Sequence, residues 1–122
     1  MGHTTSFVFL HNLDNKYLVN LYKKADLFIF SSYCEVFGLT SLEAMSQNCP
    51  IAISNQSALP EINSNAAHYF DPDNIAEIKE SLEYLTKNKE YTEKLVLKAN
   101  NHFKKFTWTK TVQETNRVLK IT

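Results

Sequence analysis

Short, continuous apolar runs alternate along this chain with stretches in which apolar residues recur every three or four positions. Phe7-Val8-Phe9-Leu10, Leu27-Phe28-Ile29-Phe30 and Ile51-Ala52-Ile53-Ser54 are runs of the first kind. Such runs suit parallel strands covered on both faces. Between the first two, Tyr17, Leu18, Leu21, Tyr22 and Ala25 fall at helical spacing, with Asp14 or Asn15 placed to cap the helix. Between the second and third, Thr40 to Gln47 reads as a helix. Asn48 then takes the position where a left-handed residue stops a helix, and Pro50 blocks its continuation. Strand, helix, strand, helix, strand predicts a parallel α/β sheet.

The second half of the chain is richer in helix. A polar loop, Asn55-Gln56-Ser57, leads to Leu59-Pro60-Glu61-Ile62, and His68-Tyr69-Phe70 is a short candidate strand. Asp71-Pro72-Asp73 is turn chemistry. Asn74 with Glu77 predicts a capping-box start to a helix whose buried stripe is Ile75, Ile78, Leu82 and Leu85. Two more helices are predicted, over about Glu90 to Lys105 and over Trp108 to Lys120, the second capped by Thr107. Trp108 reads as a packing anchor, and Tyr84, Tyr91 and Phe103 as core or rim.

Composition narrows the function classes. The chain has 122 residues, of which 43% are apolar, enough for one small globular domain. A formal net charge of zero removes the electrostatic case for nucleic acid or an anionic membrane as main partner. No apolar run approaches the roughly 20 residues that span a bilayer, and no secretory signal pattern is visible. Residues 1–6, Met1-Gly2-His3-Thr4-Thr5-Ser6, have the character of an expression remnant and are set apart from a domain over residues 7–122. Cys34 and Cys49 flank predicted strands and are expected to be free, buried thiols. No Cys/His spacing suits zinc, and His11, His68 and His102 are scattered as packing or surface residues are.

The chemistry concentrates in Glu35-Val36-Phe37-Gly38-Leu39-Thr40-Ser41-Leu42-Glu43. An ionised carboxylate only accepts hydrogen bonds, so Glu35 and Glu43 suit the vicinal hydroxyls of a sugar. Glu35 belongs to the loop at the carboxyl end of a predicted strand, where open α/β sheets bind ligands. Glu43 falls near the helix start, where its charge suits the macrodipole. Gly38, lacking Cβ, lets the backbone approach a ligand closely. The amides of Gly38, Leu39 and Thr40 stand at a helix start and are donors for a diphosphate. Ser54 and Asn55 end a strand on the same side and are lesser candidates, as is Glu61. Two glutamates with seven residues between them are a weak signal in a chain that is 21% charged.

The ordered company of that stretch is more specific. Glu35-Val36-Phe37-Gly38-Leu39-Thr40-Ser41-Leu42-Glu43-Ala44-Met45, then Pro50-Ile51-Ala52-Ile53-Ser54, resembles the donor-binding half of retaining GT-B glycosyltransferases of the group 1, family 4 type. Ala58-Leu59-Pro60-Glu61-Ile62, Asp71-Pro72-Asp73 and the Phe106-Thr107-Trp108 helix entry match later parts of the family pattern. The resemblance extends from about Phe7 to Leu119. It departs mildly at Asn48 and Val36, where the family has glycine.

The resemblance implies a Rossmann-like parallel sheet with flanking helices, a partial GT-B C-terminal domain ending in a helical tail. It implies that Glu35 binds donor-sugar hydroxyls near the reacting carbon as the catalytic carboxylate. Glu43 binds the ribose, and Phe37, Gly38, Leu39 and Thr40 present backbone to the sugar and diphosphate. The implied reaction moves a hexose from a nucleotide sugar to an acceptor with retained anomeric configuration, using no metal and no cofactor. The resemblance further implies that the family's Arg/Lys pair, two further strands and the acceptor-binding N-terminal domain would lie before the first run here. Arg117 is the sole arginine, and Lys16, Lys23 and Lys24 read as a solvated helix face. The chain alone is therefore expected to be inactive and to self-associate through an open sheet edge. The expected compartment is the cytoplasm, with peripheral attachment at the inner face of the membrane left open for a full-length protein. The alternatives are a noncatalytic nucleotide-sugar-binding or protein-interaction module, and part of a GT-B-fold nucleotide-sugar epimerase.

Overall fold

Ile51, Ala52, Ile53 and Ser54 are all buried, as a central strand of a covered parallel sheet requires. They form β2 (Ile51–Ser54), flanked by β1 (Phe28–Phe30) and β3 (His68–Phe70) in a parallel sheet of order β1-β2-β3. Phe28 stands opposite Ile51, Phe30 opposite Ile53, and Ile53 opposite Tyr69. This is a computed structural model, and it describes residues 6–120. Of the remnant expected over residues 1–6, residues 1–5 lie outside the described residues.

Six helices surround the sheet among the described residues: α1 (Asn15–Lys24), α2 (Leu39–Ser46), α3 (Leu59–Asn63), α4 (Ile75–Lys87), α5 (Lys89–Phe103) and α6 (Trp108–Leu119). A 3₁₀ turn, Ser64–Ala66, follows α3. Alternation along β2 splits the core in two. Ile51 and Ile53 join Tyr22, Leu42, Met45, Cys49 and Leu59 on one face. Ala52 joins Phe70, Leu85 and Leu95 on the other. Burying one large apolar side chain contributes about 1.5–3 kcal/mol relative to exposure. That burial, rather than the propensity of eight residues, holds α2 in place.

The end of α2 is a Schellman motif. Asn48 has φ 59°, its N–H donates to the Met45 carbonyl at 3.1 Å, and the Cys49 N–H donates to Ala44 at 3.1 Å. The left-handed Asn48 expected from sequence is therefore present. Asn74 caps α4 by accepting from the Glu77 amide at 3.1 Å. Glu77 in turn accepts from the Asp71 amide rather than from Asn74, so the capping box is not reciprocal.

Four expectations fail. Phe7-Val8-Phe9-Leu10 is no strand; it is exposed, Phe9 by 84%. A parallel strand needs a neighbour for its ladder, and no described strand lies beside it. Ile75, at the first position of α4, is 82% exposed and leaves the stripe to Ile78, Leu82 and Leu85. Trp108 is 86% exposed and anchors nothing. Cys34 is exposed because it sits on the loop after β1, whereas Cys49 is buried, and burial pushes its thiol up to about 11.

Candidate functional site

Three loops leave the carboxyl ends of the strands, and side chains tie them together. Tyr33, on the loop after β1, donates its hydroxyl to Asp73 Oδ1 at 2.8 Å, on the turn after β3. It also reaches the Pro72 carbonyl at 3.4 Å. The bond to the Asp73 carboxylate, above all, raises the Tyr33 phenol from its ordinary value. Ser57, on the loop after β2, joins the loop after β1 through both backbone groups of Glu35. Its Oγ accepts from the Glu35 N–H at 3.2 Å and donates to the Glu35 carbonyl at 2.8 Å.

Glu35 is half-buried on this tethered loop. Its carboxylate makes no hydrogen bond or ion pair among the described residues, so its acceptor capacity is free. Gly38 follows at the N-cap of α2 with φ 78° and ψ 50°. A Cβ there would stand 2.7 Å from Leu59 Cδ2, and Leu59 is fully buried. The glycine is thus demanded by a left-handed turn and by packing against α3. The side of Gly38 that a Cβ would occupy faces the core, which corrects the expectation that its bareness serves a ligand's approach.

The first amides of α2 are open. The N–H groups of Gly38, Leu39 and Thr40 have no hydrogen-bond partner among the described residues, and the chain first closes with Ser41 N–H on the Gly38 carbonyl at 3.1 Å. No side chain caps this helix. Thr40 Oγ1 is a buried hydroxyl without a partner among the described residues. Amides of this kind with the positive end of the helix dipole suit an anion.

Glu43 lies in the second turn of α2 and is exposed. The first turn holds no acidic residue, which corrects its expected role toward the macrodipole, an effect confined to the first turn. The buried Tyr22 of α1 reaches Glu43 Oε2 with its hydroxyl at 3.4 Å, long for such a bond. Burial, then the Glu43 charge and this contact, push the Tyr22 phenol up to about 12.

Not all the expected residues share one surface. Phe37, Leu39 and Glu43 line a groove of about 570 Å³ with Phe106 and Trp108; Glu35, Gly38 and Thr40 do not. The Phe37 ring meets Phe106 edge-on at 5.8 Å, so it packs while its backbone belongs to the loop. A larger groove of about 730 Å³ lies by Asp26, Pro50 and Leu97. Asp26 and Pro50 precede β1 and β2, so this groove is at the amino end of the sheet, away from the motif. Of the lesser candidates, Ser54 is fully buried, its Oγ accepting from the Gln56 amide at 3.2 Å. Asn55 is exposed and Glu61 lies in the first turn of α3. Sequence reasoning missed Tyr22, Tyr33 and Ser57. Ser57 read only as part of a polar loop; its left-handed backbone, at φ 56°, is visible only in the structure.

The comparisons with known proteins bear on the family and the fold. Residues 2–102 match the family described as Glycosyl transferases group 1. The O-antigen chain mannosyltransferase B of Escherichia coli is 30% identical over 101 residues, which are 83% of this chain and 26% of that protein. The O-antigen chain mannosyltransferase RfbU of Salmonella typhimurium is 31% identical over 98 residues, 80% of this chain and 27% of that one. The chain thus spans about a quarter of the length of these curated relatives. In fold it is similar to sucrose-phosphate synthase from Thermosynechococcus elongatus, with a TM-score of 0.81 at 19% identity over 93% of this chain and 29% of that one. The parallel sheet with flanking helices is that of a Rossmann-like GT-B domain. A carboxylate on the loop after β1, a glycine turn and an uncapped helix fall within the matched residues, and this chain belongs to the group 1 glycosyltransferases.

Proposed function

We propose that this segment binds the nucleotide-sugar donor for a hexosyl transfer that retains anomeric configuration and uses no cofactor. The observation that carries the reading is the row of three open amides, Gly38 to Thr40, set between two carboxylates at the carboxyl end of the sheet. In this reading the diphosphate sits on those amides. Glu35, free of internal partners, accepts hydroxyls of the hexose near the reacting carbon. Glu43, exposed one turn into α2, accepts a ribose hydroxyl. As the bond from sugar to phosphate breaks, negative charge grows on the diphosphate. Fixed donors and the helix dipole stabilise that charge without reorganising. The relatives named mannosyltransferases support a mannose nucleotide as the first donor to test. Transfer itself belongs to a protein of the relatives' length, and this chain alone is expected to bind without turnover.

Calorimetric titration of the chain with GDP-mannose, GDP, UDP-glucose and UDP tests the reading. A hydrogen bond to a charged group contributes about 1.5–3 kcal/mol. Glu43→Ala is therefore expected to weaken every nucleotide by about tenfold. Glu35→Ala should weaken the sugar nucleotide while sparing the free nucleoside diphosphate. Unchanged affinities in both variants reject the assignment.

A further inference from the structure

Ser57 holds the backbone of Glu35 from both sides. One hydroxyl accepts from its N–H at 3.2 Å and donates to its carbonyl at 2.8 Å, across 22 residues of sequence. No other hydrogen bond to that residue, backbone or side chain, is present among the described residues. The Glu35 carboxylate is left free, so its place at the carboxyl end of β1 follows from where its backbone is pinned. Ser57 itself sits at φ 56°, a left-handed conformation that glycine and asparagine adopt more readily than serine. A turn alone would be better served by glycine. What glycine lacks is the hydroxyl, and here the hydroxyl makes both bonds.

We infer that Ser57 is a positioning residue for Glu35: the Ser57 hydroxyl sets where the Glu35 carboxylate meets the donor hexose. The inference rests on the donor reading above. Strain held at such a position by surrounding contacts is a recurrent property of functional loops. The loop after β2 thereby fixes a carboxylate on the loop after the neighbouring strand, β1, with which β2 is in register.

Ser57→Gly and Ser57→Ala separate the hydroxyl from the turn. Both remove the two bonds, and only the glycine relieves the left-handed backbone. The readout is the hexose increment, the affinity for GDP-mannose divided by that for GDP, with UDP-glucose against UDP as the second pair. Both variants are expected to lower the increment about fivefold, to the same extent, with nucleoside diphosphate affinity unchanged. A hydrogen-exchange measurement without ligand accompanies it: the Glu35 amide should exchange at least tenfold faster in either variant. An increment kept in Ser57→Gly but lost in Glu35→Ala overturns the role of Ser57 and leaves the donor reading standing. Unaltered Glu35 amide protection in both Ser57 variants overturns the clamp itself. An increment absent in the wild-type chain for both pairs, or kept in Glu35→Ala, overturns the reading of Glu35 and the role of Ser57 with it.

Discussion

Helices α2 and α6 solve the same problem, a helix N-terminus with unpaired amides, in opposite ways. Helix α6 contributes no buried residue. It carries its own supports: Thr107 Oγ1 accepts from the Lys110 amide at 3.2 Å, and Arg117 pairs with Glu114 at 2.6 Å. Helix α2 has neither a side-chain cap nor an ion pair among the described residues. Instead it buries Ser41, Leu42, Ala44 and Met45. A helix held by its surroundings can leave its first amides open, whereas one without tertiary cover depends on its cap. The open amides are where donor binding is proposed.

The strongest way to break this contrast is to disturb what holds α2. Gly38→Ala places a methyl 2.7 Å from the buried Leu59 Cδ2 and forces alanine to φ 78°. Overpacking and left-handed strain together predict a loss of about 2–4 kcal/mol of global stability. Chemical denaturation checks this. A change within about 0.5 kcal/mol would mean that α3 yields freely and that the burial of α2 is not what fixes its N-terminus.

An intermediate effect is expected where α1 meets α2. Tyr22 has its phenol pushed up to about 12, against 10.0 for an unperturbed group. Between these values the unfolded chain has lost a proton that the folded chain keeps. Stability is therefore whole below about pH 10 and declines as pH rises toward 12. Tyr69, pushed up to about 12 by burial, adds to the same decline. Tyr22→Phe removes one titrating group and should flatten the alkaline loss by on the order of 1 kcal/mol. Denaturation of both proteins at pH 9 and pH 11 measures it. Equal slopes would show that Tyr22 titrates as an exposed phenol and that α1 adds little to the cover on α2.

The same contrast explains what was legible in the sequence. The pattern around α2 was complete, because strand β2, the stop at Asn48 and Pro50, and the glycine at Gly38 are all local signals. The roles proposed for Glu35 and Glu43 rest on resemblance to a family, since spacing alone is weak. Long-range bonds were hidden: Ser57 lies 22 positions from Glu35 and Tyr22 lies 21 from Glu43. Nothing in a single sequence pairs such positions. Phe7–Leu10 misled for the converse reason. Its apolar run is as strand-like as Leu27–Phe30, and a run of residues says nothing of whether a neighbouring strand stands beside it. Trp108 misled similarly, since a large aromatic side chain favours burial without naming what covers it.

The smallest expected effect is at the start of α6. Thr107→Ala deletes the hydroxyl that caps the Lys110 amide. Losing such a cap costs about 1 kcal/mol of helix stability. A 12-residue helix without buried contacts is marginal by itself, so most of that loss should appear as fraying of α6. The core has no stake in it. Carbon-13 secondary shifts across Trp108–Leu119 should move toward coil values, while those of Leu39–Ser46 and the global midpoint of melting hold still. A midpoint lowered by several degrees would instead place α6 in the cooperative unit with α2. The difference between a capped, free-standing helix and an open, buried one would then lie only in their hydrogen bonds.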